Sequence, residues 1–272
     1  MVNYVKTKIF SKKVIFCFVA LLVLMQFLFG NKVISQNMID AKEAYVLFVN
    51  SKSSIVLYIM CMALAMLYPS QYMDMYIMRL GKKRWAFCEV FSLISEVILI
   101  QLLVVLTCLI WFPRLDVHTW SPVFLASSQI DAEYFDMNIG SIYGFNDWIY
   151  FSKPIEVFWV SFFLHVLLGV LIAMLCLFFN LYFRVGYGLV AGFFLIGMSD
   201  IIIFLTHFSV QEKFKNSFLT LLLLYDNAYI GNLSNGGVGG NLTVGTCIIW
   251  YIILISLFFE IIINNSKKIE VN

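Results

Sequence analysis

The sequence predicts an all-α integral membrane protein, a single domain of six transmembrane helices. Three observations point there. Of the 272 residues, 62% are hydrophobic and only 12% charged, and the mean hydropathy is +0.90. A soluble domain carries about 25% charged residues, so this chain has half the charge needed to cover a water-facing surface. The apolar residues gather into six stretches that approach the roughly 20 residues a helix needs to cross a bilayer. Finally, Lys and Arg collect at the ends of those stretches, mostly on one side. The net charge of +2 is too small for nucleic-acid binding, and the basic residues sit at span ends rather than in one patch.

The expected spans are residues 14–30, 45–69, 87–112, 157–179, 186–208 and 246–263. The first has an apolar stretch longer than a signal-peptide core. Gly30-Asn31-Lys32 offers no cleavage pattern, so it reads as a retained helix. The second is continuously apolar only over 55–69. It reaches full length by starting near Tyr45, with residues 50–54 tolerated at the outer boundary. Residues 180–185 leave barely a turn between the fourth and fifth spans, which predicts a tight antiparallel hairpin.

Orientation follows from the basic residues. Lys6, Lys8, Lys12, Lys13, Arg79, Lys82, Lys83, Arg84, Arg184, Lys267 and Lys268 fall on one side. Lys32, Lys42, Lys52, Arg114, Lys153, Lys213 and Lys215 fall on the other, spread over longer loops. The positive-inside rule then places both termini in the cytoplasm. The longest outer loop is acidic, through Asp116, Asp131, Glu133, Asp136, Asp147 and Glu156. Trp111, Trp120, Trp148 and Trp159 lie near the same boundary, as interfacial tryptophans do.

Two inner segments have surface character. In residues 1–13, Val2, Val5 and Ile9 recur at helical spacing beside lysines. This is either an amphipathic helix lying on the membrane or a basic tail that only sets topology. Residues 70–81 carry helix punctuation. Ser70 is a reasonable N-cap and Asp74 sits near the helix start, where negative charge is favoured. Tyr72, Met75 and Tyr76 supply apolar surface, and Gly81 can take the left-handed position past the end. The segment reads as a connector whose charges anchor topology, or as a docking element for a cytoplasmic partner. In the latter case Trp85 pins the start of the third span at the interface.

In architecture the chain resembles the permease subunits of ABC-2 type transporters. The stretch Met78-Arg79-Leu80-Gly81-Lys82-Lys83-Arg84-Trp85 is similar to an R-x-G-x-(K/R)-x-x-(W/Y) stretch seen in that family, with its Trp one position early. The resemblance implies that residues 1–13 form an elbow helix. It implies a cytoplasmic coupling helix between the second and third spans, with Asp74, Arg79, Gly81, Lys82, Lys83, Arg84 and Trp85 as the ATPase-coupling residues. It also implies a short re-entrant or interfacial helix in the last outer loop, where the apolar residues 218–225 are too short to cross. The implied protein is a non-catalytic, multi-pass permease of the cell membrane with no cofactor. Its partners would be the lipid bilayer, a separate ABC ATPase subunit, and a second permease copy or a paralogous one. The chain contains no GxxxxGK[ST] loop, so ATP hydrolysis would belong to that separate chain.

Within the spans, Glu96, His165 and Asp200 are candidate translocation-path residues. A carboxyl that deep costs several kcal/mol to bury charged, so Glu96 should face the bundle or be protonated. His165 and Asp200 can approach each other if their helices are neighbours. Glu89 and Glu260 lie near cytoplasmic ends, where water or nearby Lys and Arg would hold them. Gly188 and Gly192 form a GxxxG pair that serves either helix packing or a dimer contact. The six cysteines all fall in spans and read as small buried apolar residues, with no metal site. With only three histidines and no Glu-Glu pair, an intramembrane enzyme is disfavoured. A stand-alone secondary carrier should show an inverted repeat, and none is visible between residues 1–150 and 151–272. A membrane immunity protein without transport remains a further alternative.

Overall fold

The computed structural model describes residues 15–16, 19–20, 22–23, 40–50, 54–66, 77–112, 119–121, 152–183, 186–206 and 243–266, with backbone alone at 66, 198–206 and 265. Residues 1–13, Ser70, Asp74, most of the acidic outer loop and residues 218–225 lie outside them. Among the described residues the regular structure is helical: α1 Ala41–Val49, α2 Ile55–Met66, α3 Lys82–Trp111, α4 Pro154–Tyr182, α5 Tyr187–Thr206 and α6 Val244–Asn265. The positions described in the first expected span are also helical. Three helices, α3, α4 and α6, are long and apolar enough to cross a membrane, and Ile55–Ala65 and Tyr187–Gly197 are shorter apolar stretches. The chain is therefore a helical membrane protein.

The helix ends follow local chemistry rather than hydropathy. The third span was expected from 87, but α3 begins at Lys82. Lys and Arg are good helix formers, so the helix runs back to Gly81, and the basic residues become its first turn. The 30 residues of α3 reach about 45 Å. α4 likewise starts a turn early, with Pro154 at its first position, where a missing N–H costs nothing. The Glu156 carboxylate accepts the Lys153 N–H at 3.2 Å. α6 is capped by Thr243, whose Oγ1 accepts the Thr246 N–H at 3.2 Å.

The region expected as one second span comes as two helices. Asn50 ends α1, and its Nδ2 donates to the Val46 carbonyl at 2.9 Å and across to Ser161 Oγ at 3.1 Å. A side chain that can bond its own backbone competes with helix continuation. α2 alone has 12 residues, about 18 Å, short of the roughly 30 Å hydrocarbon core.

α4 is the hub and touches all five other helices. In its apolar window 72% of residues are buried, against 44% in α3 and 17% in α6, so α6 sits at the periphery. α2 and α6 run parallel to α4. Tyr58 and Cys61 of α2 lie beside His165 and Gly169, and Phe178 and Tyr182 lie beside Phe258 and Ile262 of α6. α3 runs the other way, bringing Val97 to Gly169 and Phe87 to Phe259. α5 is also antiparallel to α4, as the short connection demands. The Asn180 side chain closes that connection, its Oδ1 accepting the Gly186 N–H at 3.2 Å and the Gly188 N–H at 3.0 Å.

The GxxxG pair is spent inside this chain. A Cβ on Gly188 would collide with the Cys176 carbonyl oxygen and the Asn180 side chain, and one on Gly192 would meet Met62 and Cys176 Sγ. Both glycines therefore face α4, with α2 on the Gly192 side. The Cys176 thiol donates to the Gly188 carbonyl at 3.0 Å. Cys61, Cys88, Cys108, Cys176 and Cys247 are buried, as expected.

At the end of the bundle where α1 and α4 begin, Glu43 ties the start of α1 to the segment after α3. Its Oε2 accepts the Asp40 N–H at 3.1 Å and its Oε1 accepts the Ser121 N–H at 2.5 Å, while Trp120 Nε1 donates to the Ser152 carbonyl at 3.0 Å. Burial pushes the Glu43 carboxyl above its ordinary value of 4.5. The bonds from Ser121 and Asp40 oppose the rise, and the Asp40 charge adds to it. A raised folded-state value means the fold favours the protonated form. The stabilising contribution is full below 4.5 and is lost as pH rises through the raised value. Relative to Glu43→Gln, the native protein should therefore gain thermal stability in detergent as pH falls from 7.5 towards 4.5. A gap moving the other way would contradict the sign.

Candidate functional site

Two groups of residues stand apart from the apolar packing. The first is the joint at Gly81. Residues 77–80 are helical and α3 starts at Lys82. Between them Gly81 has φ +78° and ψ 148°. The positive φ agrees with the sequence, but the ψ is extended, not that of the left-handed helix expected there. Gly81 serves both neighbours: its N–H donates to the Ile77 carbonyl at 2.8 Å and its carbonyl accepts the Trp85 N–H at 2.9 Å. Ile77 and Trp85 turn inward and are buried, while Met78, Arg79, Lys83 and Arg84 are exposed and Lys82 is half-exposed. Trp85 thus belongs to the core rather than to an interfacial anchor. A Cβ at Gly81 would touch nothing within 4 Å, so only the backbone demands glycine. Gly81→Ala should cost about 1–3 kcal/mol in chemical unfolding, with no change in the packing of its neighbours.

The second group is a buried polar layer. Tyr45 of α1 donates its hydroxyl to Gln101 Oε1 of α3 at 3.0 Å. Tyr58 of α2 bonds His165 Nδ1 of α4, and their rings stack at 6.1 Å. Asn50 reaches Ser161, one turn nearer the start of α4 than His165. Tyr45, Tyr58, Glu96, Gln101, Ser161 and His165 are all fully buried. Because α3 and α4 are antiparallel with Val97 opposite Gly169, Gln101 and His165 share one level and Glu96 lies about a turn deeper. Glu96 sits near the middle of α3, half-way along a helix long enough to span.

The predicted residues are thus partly brought together. His165 faces α2 through Tyr58, and Glu96 is next in sequence to Val97, which meets Gly169 close to Cys61 of α2. α5 neighbours α4, and the contact of Gly188 and Gly192 with Cys176 sets a register that puts residue 200 near the level of His165. The side chain of Asp200 is outside the described atoms, as is all of Asp74. Glu89 is fully buried rather than hydrated, because α3 starts earlier and carries that position into the bundle. Glu260 is exposed, as expected. Sequence reasoning passed over Tyr45, Asn50, Tyr58, Gln101 and Ser161. Gln101 in an unbroken apolar run was the one available signal.

Chemically the layer offers a carboxyl, an imidazole, two phenols and an amide in a water-excluded interior. Such a set can hold or pass a proton and can bond a polar solute. Among the described residues no cluster of His, Cys, Asp or Glu could hold a metal ion. Comparison with protein-family models, curated proteins and solved structures finds no match to this chain. Fold and site define a helical membrane protein with three apolar helices of spanning length and a polar interior.

Proposed function

We propose that the chain is the membrane-spanning permease subunit of an ATP-driven ABC-2 type exporter in a cell membrane. In this reading six spans cross the bilayer, both termini are cytoplasmic, and the permease pairs with a second copy or a paralogous subunit. The observation that carries the proposal is the joint at Gly81. An exposed cationic surface, Arg79, Lys83 and Arg84, sits directly on the end of a spanning helix. A force applied there would tilt α3, and with it Glu96 and Gln101 in the polar layer. Lacking a P-loop, the permease would take that force from a separate ATPase.

The test is co-purification with a co-expressed ABC ATPase from a neighbouring gene. Arg79→Gln, Lys83→Gln and Arg84→Gln together should lower association at least tenfold and leave thermal stability unchanged, since all three side chains are exposed. Undiminished association would remove the docking role. A second reading, a stand-alone secondary carrier, is favoured by the fully buried Glu96 and His165. It requires transport that runs on a proton gradient without any ATPase.

A further inference from the structure

α6 turns a polar stripe away from the bundle. It is one of the three helices of spanning length, and only 17% of its apolar window is buried. Cys247, Tyr251 and Ile262 are buried on its bundle side. On the opposite side Ile249, Ile252, Ile253 and Leu257 are exposed, as a lipid-facing surface would be. Ser256, Glu260 and Asn264 are exposed on that same side. They recur every four residues and so stand one above another on the helix.

Lipid accounts for the apolar residues but not for these three. An ionisable residue within a span almost always faces the bundle interior or a polar partner. The 22 residues of α6 reach about 33 Å, little more than the hydrocarbon thickness of about 30 Å. Ser256 stands more than two turns before the end at Asn265, and it has no long stem with which to snorkel to the headgroups. Ser92, Ser95 and Thr107 of α3 each donate to a carbonyl of their own helix. Among the described residues no hydrogen bond holds the Ser256 hydroxyl, the Glu260 carboxyl or the Asn264 amide.

The order of the three groups says what fits. Glu260 accepts, while the hydroxyl and the amide a turn to either side donate. Such a stripe is complementary to itself. When two copies of α6 pack in parallel about a two-fold axis, each Glu260 comes beside the partner's Ser256 and the partner's Asn264, and the same bonds form twice. Hydrogen bonds between such side chains hold helices together in membranes. The Gly188–Gly192 pair, the other contact available to a second copy, is used within the chain.

We propose that α6 is the pairing surface for a second copy of this chain, closed by Ser256, Glu260 and Asn264 of each copy. This names the surface for the second copy in the reading above, but the pairing needs no ATPase. A failed ATPase association would leave it standing, and its own failure would leave the joint at Gly81 untouched.

The full chain, fused to donor or acceptor fluorescent proteins, is reconstituted into phosphatidylcholine vesicles, and energy transfer is followed as protein is diluted in lipid. A cross-helix bond in a membrane is worth about threefold, and Ser256→Leu with Glu260→Leu removes all those of the stripe. That variant should weaken pairing at least tenfold at an unchanged thermal midpoint. Glu260→Gln still accepts and should stay within about threefold of the native chain. On oxidation Ile253→Cys should give a disulfide-linked dimer, and Leu102→Cys, exposed on α3, should not. A monomeric native chain, undiminished pairing in the double variant, or equal crosslinking from position 102 overturns the inference. A monomeric chain that instead binds a membrane protein with a basic residue in its span would assign the stripe to that protein and overturn self-pairing.

Discussion

Gly188→Val should unfold the α4–α5 hairpin, or leave it so weakened that little folded protein survives detergent extraction. The new Cβ would meet the Cys176 carbonyl oxygen and the Asn180 side chain. A backbone oxygen cannot swing aside, and Asn180 is already committed to the N–H groups of Gly186 and Gly188. Overpacking a tight contact costs typically 1–3 kcal/mol and occasionally more. With the obstacle in the backbone, the loss should be about 3 kcal/mol or greater. Gly192→Ala is the matched control. Its Cβ meets chiefly the Met62 side chain, which is flexible enough to move, so a cost of about 1 kcal/mol is expected. Thermal midpoints in detergent compare the two. Equal losses would mean that α5 does not sit on α4 as described.

The second large effect lies in the polar layer. His165→Leu takes away the ring nitrogen that the Tyr58 hydroxyl meets in a fully buried position. Removing one partner of a buried hydrogen bond costs about 1–3 kcal/mol, whereas replacing both with apolar groups is often nearly neutral. Tyr58→Phe in the His165→Leu background should therefore recover much of what the single substitution loses. Cross-helix bonds in membranes average about 0.6 kcal/mol and reach about 1.7 kcal/mol in double-mutant cycles. With both side chains at 0% exposure, coupling near the upper value is expected. Chemical unfolding of the four proteins of the cycle checks it, and additive losses would show that the two side chains do not act as a pair.

Both predictions rest on features that the sequence displays unequally. The helices α4 to α6 were visible as apolar runs, and two of them start before the expected bounds through caps: Pro154 and Glu156 extend α4, and Thr243 extends α6. Gly188 and Gly192 were visible as a motif, but only packing shows that their partners are Cys176 and Met62 rather than another molecule. The joint at Gly81 was legible because a basic run after a glycine is a local signal. That Lys82, Lys83 and Arg84 belong to α3 was not, because hydropathy assigns charges to a loop while helix propensity continues through them.

The polar layer was the least legible. Tyr45, Asn50 and Tyr58 are ordinary residues in sequence, and a break at Asn50 is needed to bring Tyr45 to Gln101 and Tyr58 to His165. Those pairs are separated by 56 and 107 positions. No local pattern encodes such a distance, since it depends on which helices become neighbours.

The most direct test of ATPase docking at the joint is photocrosslinking. A photoreactive amino acid at Met78, which is exposed beside Gly81, would be compared with one at Ile110, exposed at the far end of α3. In membranes containing a co-expressed ABC ATPase, position 78 should crosslink to the ATPase and position 110 should not. No crosslink from position 78, or an equal one from position 110, would contradict docking at the joint.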